Sequence, residues 1–190
     1  NFDEIRAAVA ALRAAGAADL VLLHCVSDYP TRPEDVNLRV MDSLRDAFQV
    51  PVGLSDHTAG IPVALAAAAR GAVVIEKHFT LDRTLPGPDH RASLEPAELR
   101  AMIAAIREIE AALGDGVKRL TPAEIQTMQV VRRSLVARED LPAGTVLAAR
   151  HLDAKRPASG LSPMEIDRIL GRRLRRAVVR DADVRLEDTE

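Results

Sequence analysis

Aromatic residues and cysteine are scarce in this sequence. Its 190 residues include no tryptophan, one tyrosine and three phenylalanines, so the core must be built from Ala, Val, Leu and Ile. The single cysteine, Cys25, excludes an internal disulfide framework and is typical of a protein from a reducing cytoplasm. No nearby residue forms a triad-like arrangement with its thiol, so we expect Cys25 to be a small buried apolar residue rather than a nucleophile.

The sequence also lacks a charge bias and a long apolar run. Lys plus Arg number 26 and Asp plus Glu number 28, which gives a net charge of −2 and no general attraction to nucleic acid or to an acidic membrane surface. No apolar stretch reaches the length of about 18 residues with which a helix crosses a bilayer. We therefore expect neither a nucleic-acid partner nor a membrane partner.

Short apolar runs and helical segments alternate over the first 113 residues. Three apolar runs are typical of strands buried on both faces of a parallel sheet: residues 20–25, 50–54 and 72–75. Apolar residues recur at helical spacing in the segments 3–15, 34–48, 61–70 and 96–113. The predicted apolar face of the last segment consists of Leu99, Ile103, Ile106, Ile109 and Leu113. The alternation predicts right-handed βαβ units. A complete (β/α)8 barrel takes about 250 residues, so we predict part of a TIM barrel, with a small open α/β sheet as the alternative.

The sequence pattern changes after this region. We divide the chain into a partial barrel domain, a linker with about one helical turn, and a small β-rich domain, at residues 1–115, 116–133 and 134–190. In the last domain, apolar runs predict strands at 134–137 and 145–147, and Ser162 is expected to begin a helix.

Two histidines lie at equivalent places in consecutive βα units. His57 and His78 each follow a predicted strand and are 21 residues apart, the length of one unit. Adjacent strands lie about 4.8 Å apart, so both imidazoles could bind one divalent metal ion at the C-terminal rim, where barrel active sites lie. The alternative is that each ring caps its strand end by hydrogen bonding.

Glu76 lies two residues before His78 and therefore shares its face of the strand. A carboxylate at that place could be a metal ligand, orient a ligand, or act as a general acid or base. The alternative for Glu76 is a buried salt bridge. Lys77 points to the opposite face and is expected to be structural.

Other polar residues follow the same strands. Ser27 and Ser55 could bind phosphate or carboxylate oxygens, or cap the strand ends. Tyr29, the only tyrosine, also lies just past a strand. In the segment 85–91 two prolines and a glycine predict a rigid loop, which could hold Asp89 over the rim to bind a sugar hydroxyl or could be an ordinary turn.

Four motifs resemble the sialic acid synthase family in their order and spacing. They are LLHCVSDYPT, GLSDHT, EKHFTLDR and LPGPDH, which begin at residues 22, 53, 76 and 85. The tail is similar to the antifreeze-like SAF domain that follows the barrel in that family, with KRP at 155–157 and Gly160 as its markers. The resemblance implies the C-terminal part of a TIM barrel followed by a β-clip SAF domain. It also implies a transferase that condenses phosphoenolpyruvate with N-acetylmannosamine, its 6-phosphate or a related amino sugar to give a nonulosonic acid.

The resemblance also implies roles for single residues. His57 and His78 match the family's ligands for manganese, with magnesium as the second choice, and Glu76 matches a catalytic glutamate beside the metal. The implied substrate-binding residues are Ser27 and Ser55 for phosphoenolpyruvate, Tyr29 and Asp89 for the amino sugar, and Arg156, which would extend across a domain-swapped homodimer towards the N-acyl group. Ser27 departs from the asparagine that some members carry.

The family's barrel begins well before Asn1, and its first strands carry further residues for phosphoenolpyruvate. We therefore expect a cytoplasmic enzyme of which this chain is the C-terminal half, and a chain that is inactive alone. Two other classes stay open. A carbohydrate-binding module would fail to bind manganese, and a Schiff-base aldolase would need a single inward-facing lysine at a strand end, which the sequence does not offer.

Overall fold

The computed structural model describes residues 1–190 and divides them into two units, Asn1–Val117 and Lys118–Glu190. None of its helices combines the length and the apolarity needed to cross a membrane.

The first unit is a three-stranded parallel sheet with helices packed on it. Its strands are β1 (Leu22–Cys25), β2 (Val52–Asp56) and β3 (Ile75–Lys77), in the order β1-β2-β3. Its helices are α1 (Phe2–Ala14), α2 (Pro33–Val36), α3 (Val40–Phe48), α4 (Pro62–Ala69) and α5 (Pro96–Leu113). The predicted alternation of strands and helices is confirmed. The strands β2 and β3 end two residues later than the apolar runs that predicted them, because polar residues continue the ladder past each run.

Local sequence signals explain where several helices begin and end. The Asn1 side chain accepts hydrogen bonds from the N–H groups of Asp3 and Glu4 and so begins α1. Pro96 stands in the first turn of α5, where its missing N–H costs no hydrogen bond. The single helix predicted over 34–48 is divided into α2 and α3, because Asn37 adopts a left-handed backbone with φ of 49°.

The core of the first unit lies between the sheet and the helices on one of its faces. Val52 and Leu54 of β2 are almost fully buried there, against Met41, Leu44 and Phe48 of α3. Strands β2 and β3 approach so closely that a Cβ atom on Gly53 would lie 2.3 Å from the carbonyl oxygen of Val74. Only glycine fits at that position.

The buried face of α5 differs from the predicted one. Met102 is buried, and Leu99 and Ile106 pack beside it against Leu94 and Ala64. Ile103 and Leu113, which were predicted on this face, are 48 % and 55 % exposed. The prediction was right for Leu99 and Ile106. It was wrong for Ile103, which lies to one side of the contacting stripe, and for Leu113, which is the last residue of the helix.

The second unit contains more helix than predicted. Helix α6 (Pro122–Val131) occupies most of the segment predicted as a linker with one helical turn. Thr121 explains this helix: its hydroxyl accepts from the N–H of Glu124, and the Glu124 carboxylate accepts from the N–H of Thr121.

Two antiparallel strands follow this helix, β4 (Ser134–Ala137) and β5 (Leu152–Lys155). The strand predicted at 145–147 is reduced to one bridge between Val146 and Arg173, and the segment at Ser162 forms a 3₁₀ helix, Pro163–Arg168. The core of this unit is aliphatic and contains Leu135, Ala137, Leu141, Leu147, Leu152, Ile169, Leu174, Val178 and Val184.

Candidate active site

The register of the sheet brings three side chains into one row. Cys25 of β1 is aligned with Ser55 of β2, and Ser55 is aligned with Glu76 of β3. The Ser55 hydroxyl donates a 2.6 Å hydrogen bond to Oε1 of Glu76. Leu54 and Ile75, which alternate with these residues, face the helices, so the row lies on the opposite face of the sheet. Glu76 is exposed there and forms a hydrogen bond instead of the buried salt bridge weighed as its alternative.

His57 and His78 lie together just beyond the ends of β2 and β3. Their ring centroids are 5.1 Å apart, and the rings are nearly perpendicular. Nδ1 of His57 lies 2.8 Å from the carbonyl oxygen of Val26. A carbonyl can only accept, so Nδ1 of His57 is the donor in this contact, and in the neutral ring Nε2 has the free lone pair.

Tyr29 and Asp89 adjoin the histidine pair. The Tyr29 ring lies against His57 with centroids 4.1 Å apart, and 5.5 Å from His78. Oδ2 of Asp89 lies 3.8 Å from Nδ1 of His78. Tyr29 and Asp89 are about half exposed, so the group opens to solvent.

The two remaining predicted site residues are Ser27 and Arg156. Ser27 is exposed in the segment that follows β1. Arg156 belongs to the second unit, where its Nε donates a 2.8 Å hydrogen bond to the carbonyl oxygen of Val131.

Cys25 is exposed, which corrects the expectation that it is a buried core residue. It ends β1, an edge strand of the sheet, and its side chain is on the open face. Its Sγ lies 3.8 Å from Nδ1 of His57. Residue type alone could not predict this exposure, because it depends on which strand lies at the edge.

A buried polar network behind the histidines was not predicted. Nζ of Lys77 lies 2.8 Å from Oδ2 of Asp56, and the two side chains are 3 % and 1 % exposed. The other carboxylate oxygen of Asp56 accepts from both the N–H and the hydroxyl of Thr58, while Lys77 also donates to the Thr58 carbonyl oxygen. One sequence signal for this network was available. Asp56 and Lys77 each directly precede one of the two histidines, so the alternation of side chains along a strand places both on the face opposite the imidazoles, where they are paired.

The loop that carries Asp89 is attached at both ends. The hydroxyl of buried Thr80 lies 2.8 Å from Nδ1 of His90. Arg83 pairs with Glu98 in the first turn of α5 and donates to the carbonyl oxygen of Ser93. The hydrogen bond from Arg83, followed by one from the backbone N–H of Glu95, holds the pKa of Glu98 below its ordinary value.

The histidine pair meets the chemical requirements of a divalent metal site in part. No group of three or more His, Cys, Asp or Glu side chains in the chain is placed to hold an ion by itself. A metal-binding imidazole commonly donates its second N–H to a backbone carbonyl, as His57 does to Val26. Two imidazole ligands leave coordination positions for water and for substrate oxygens.

A separate cavity of about 600 Å³ lies in the second unit, between the C-terminal part of α6 and residues 158–164. Its lining includes Arg132, Arg133 and Met164 but none of the predicted site residues.

Comparison with known proteins relates both units to one group of enzymes. Residues 1–118 match the NeuB family and residues 132–188 match the SAF domain. The chain is 48 % identical over 174 residues to N,N'-diacetyllegionaminic acid synthase of Campylobacter jejuni, covering 90 % of this chain and 52 % of that protein. The chain thus spans about half the length of the curated relatives that it matches.

Solved structures give the same result. An N-acetylneuraminic acid (sialic acid) synthetase from Leptospira borgpetersenii, in complex with citrate, is 39 % identical with a TM-score of 0.60, over 66 % of this chain and 44 % of that one. A putative spore coat polysaccharide biosynthesis protein E from Chromobacterium violaceum is 27 % identical with a TM-score of 0.68, over 100 % of this chain and 58 % of that one. These matches confirm the predicted fold class, part of a TIM barrel followed by a SAF domain.

Proposed function

The chain belongs to the NeuB family, and from that premise we propose that it supplies part of the active site of a nonulosonic acid synthase. The reaction is the condensation of phosphoenolpyruvate with N-acetylmannosamine or a related amino sugar. The observation that carries the proposal is the pairing of His57 and His78, 5.1 Å apart at the ends of adjacent strands. The Ser55–Glu76 hydrogen bond next to them supports it.

The proposed roles follow from the positions of the side chains. His57 and His78 hold a divalent cation, manganese or else magnesium. When bound, this cation supplies Lewis acidity to the carbonyl oxygen of the open-chain sugar. Glu76 accepts or returns a proton, and its hydrogen bond from Ser55 fixes the carboxylate.

The remaining site residues bind the substrates. Ser55 and Ser27 contact phosphoenolpyruvate, while Tyr29 and Asp89 line the amino-sugar pocket beside the histidines. The enol carbon of phosphoenolpyruvate forms the new bond to the aldehyde carbon, water adds at the neighbouring carbon, and phosphate leaves.

Metal binding by the purified chain tests the proposal. Titration of Mn²⁺, followed by the electron paramagnetic resonance signal of the free ion, is expected to show one site that H57A and H78A both remove. The matched control is H24A, because Nε2 of His24 lies 2.6 Å from the carbonyl oxygen of Val36 and has a structural role. Undiminished Mn²⁺ binding in an H57A/H78A double variant would refute the metal proposal. Absence of Mn²⁺ binding by the wild-type chain would favour a carbohydrate-binding module.

Activity is tested in a chimera that joins this chain to the half of a legionaminic acid synthase that it does not match. We expect this chimera to release phosphate from phosphoenolpyruvate in the presence of an amino sugar, and the 190-residue chain alone to be inactive. Loss of activity in E76Q with Mn²⁺ binding retained would separate the role of Glu76 from that of the histidines. Phosphate release by the isolated chain would contradict its proposed inactivity.

Arg156 is proposed to act across a domain-swapped homodimer in the cytoplasm, near the N-acyl group of the amino sugar. Its guanidinium is exposed and donates a hydrogen bond through Nε to the carbonyl oxygen of Val131. Its two N–H₂ groups can therefore serve as further donors. In the chimera, R156A should weaken use of the amino sugar and leave Mn²⁺ binding unchanged. Mixing R156A with H57A should restore part of the activity. No recovery after confirmed subunit exchange would mean that Arg156 acts within its own chain or not at all.

A further inference from the structure

A buried ion pair lies directly behind the two histidines. Asp56 immediately precedes His57, and Lys77 immediately precedes His78. Their side chains point to the face of the sheet opposite the imidazoles and meet at 2.8 Å across β2 and β3. The last paired position of the two strands is therefore an ion pair, and the next residue on each strand is an imidazole.

Every polar group of this pair is engaged. Lys77 donates to Asp56 and to the carbonyl oxygen of Thr58, and Asp56 accepts from the N–H and the hydroxyl of Thr58. Satisfied buried networks of this kind hold their members in one arrangement. A buried ion pair is often no more stabilising than apolar residues of the same volume, so stability alone does not account for its presence at this position.

The network also reaches the loop after β1. Thr58 forms a parallel bridge with Thr31, and the N–H of Thr31 donates to the carbonyl oxygen of His57. Thr31 follows Tyr29 by two residues, and Tyr29 lies against the His57 ring. The backbone of His57 is thus held from its own strand, from β3 through Lys77, and from the loop that carries Tyr29.

We propose that Asp56 and Lys77 are positioning residues that set the separation and orientation of His57 and His78. This inference rests on the proposed function, since it concerns the same pair of imidazoles. The ion pair joins the ends of β2 and β3 at the register position next to the histidines. Without it, those ends would be joined by the backbone ladder and by the Ser55–Glu76 hydrogen bond one register position earlier, and their separation would vary more.

The test uses the double variant D56N/K77M in the purified chain. The amide oxygen of the D56N side chain can still accept from Thr58, and K77M leaves no unpaired buried charge. We expect a thermal midpoint close to that of the wild type and a Kd for Mn²⁺ raised about 10- to 100-fold. The control is R107M/E110Q, which removes an exposed ion pair on α5 and should change neither quantity.

A second measurement does not depend on the metal. Tyr29 is the only tyrosine and the chain has no tryptophan, so intrinsic fluorescence reports on Tyr29 alone. Its ring is 4.1 Å from His57, and contact with an imidazole quenches tyrosine emission. We expect the emission lifetime of Tyr29 in the metal-free chain to change in D56N/K77M and to stay unchanged in the control.

These outcomes separate the inference from the proposed function. A folded D56N/K77M with an unchanged lifetime and a Kd for Mn²⁺ within twofold of the wild type would overturn the positioning role. If the wild-type chain binds no Mn²⁺, the metal proposal fails and the lifetime alone decides the positioning role. If D56N/K77M does not fold, D56E decides in its place, because it keeps both charges but lengthens the link between the strands. A folded D56E with an unchanged Kd and lifetime overturns the inference.

Discussion

Single positions in the sheet are constrained by the close approach of its strands, and Gly53 is the clearest case. A methyl group there would meet the backbone oxygen of Val74 at 2.3 Å and a side-chain carbon of Leu23 at 2.6 Å. Because backbone cannot move aside cheaply, we expect G53A to lower the free energy of unfolding by about 1–3 kcal/mol, measured by urea denaturation. In G160A the new methyl group would meet a single side chain, Asp183, and should cost less. Equal stability losses in the two variants would contradict this explanation.

The sequence predicts the site residues unevenly, and the reason is visible residue by residue. The closeness of His57 and His78 could be predicted because a repeat of one βα unit places equivalent residues side by side. The burial of Asp56 and Lys77 could not, since it depends on what packs over the outer face of the strands. The exposure of Cys25 could not be predicted either, because composition does not show which strand is at an edge.

Individual elements depend on their ends, as α6 illustrates. This helix has no buried residue, so its capping box at Thr121 carries much of its stability. We expect T121A to cost the helix about 1 kcal/mol, which corresponds to an approximately fivefold faster amide hydrogen exchange over residues 123–131. The matched control is T127A, which removes an exposed hydroxyl in mid-helix that donates to the Ala123 carbonyl oxygen. The same rate in both variants would show that the cap is not the controlling feature.

The start of α5 should make the first unit sensitive to acid. The pKa of Glu98 is lowered by the hydrogen bond from Arg83 and then by the N–H of Glu95. As the pH falls, the Glu98 carboxylate is therefore protonated in the unfolded chain before it is protonated in the folded chain. The stabilisation that this carboxylate gives the folded chain is complete above the ordinary pKa of Glu98 and is lost as the pH falls below it. We expect the thermal midpoint of E98Q to decline less than that of the wild type between about pH 5 and pH 3. E108Q, at an exposed position of the same helix, should decline as the wild type does.

At the scale of the 190-residue chain, apolar side chains are exposed beside unpaired strand edges. Strand β1 lies at one edge of the sheet, and Val21 directly before it is 49 % exposed. A charged residue next to an edge strand opposes pairing with another chain. We expect V21K to aggregate more slowly than the wild type in light-scattering measurements, and V179K, at a 64 % exposed valine of the second unit, to have no such effect. Equal slowing by both variants would indicate a general effect of charge.

At this scale the sequence predicts the fold class well and the second unit less well. Parallel βα units repeat a local pattern, so reading along the chain is enough to recognise them. The partner of β4 is instead β5, 15 residues beyond its end, and many other contacts of this unit are single bridges between irregular segments. Such pairings leave no periodic trace in the sequence.

The irregular closure of the second unit has a consequence for the order of events during synthesis. Val136 pairs with Asp183, Leu174 pairs with Thr189, and Arg173 exchanges backbone hydrogen bonds with Glu190. The first of these pairs joins β4 to a residue 47 positions further along the chain. Contacts of such long sequence separation form slowly. The unit must therefore remain open until Asp183 has left the ribosome, with its aliphatic residues accessible to chaperones and proteases during that interval.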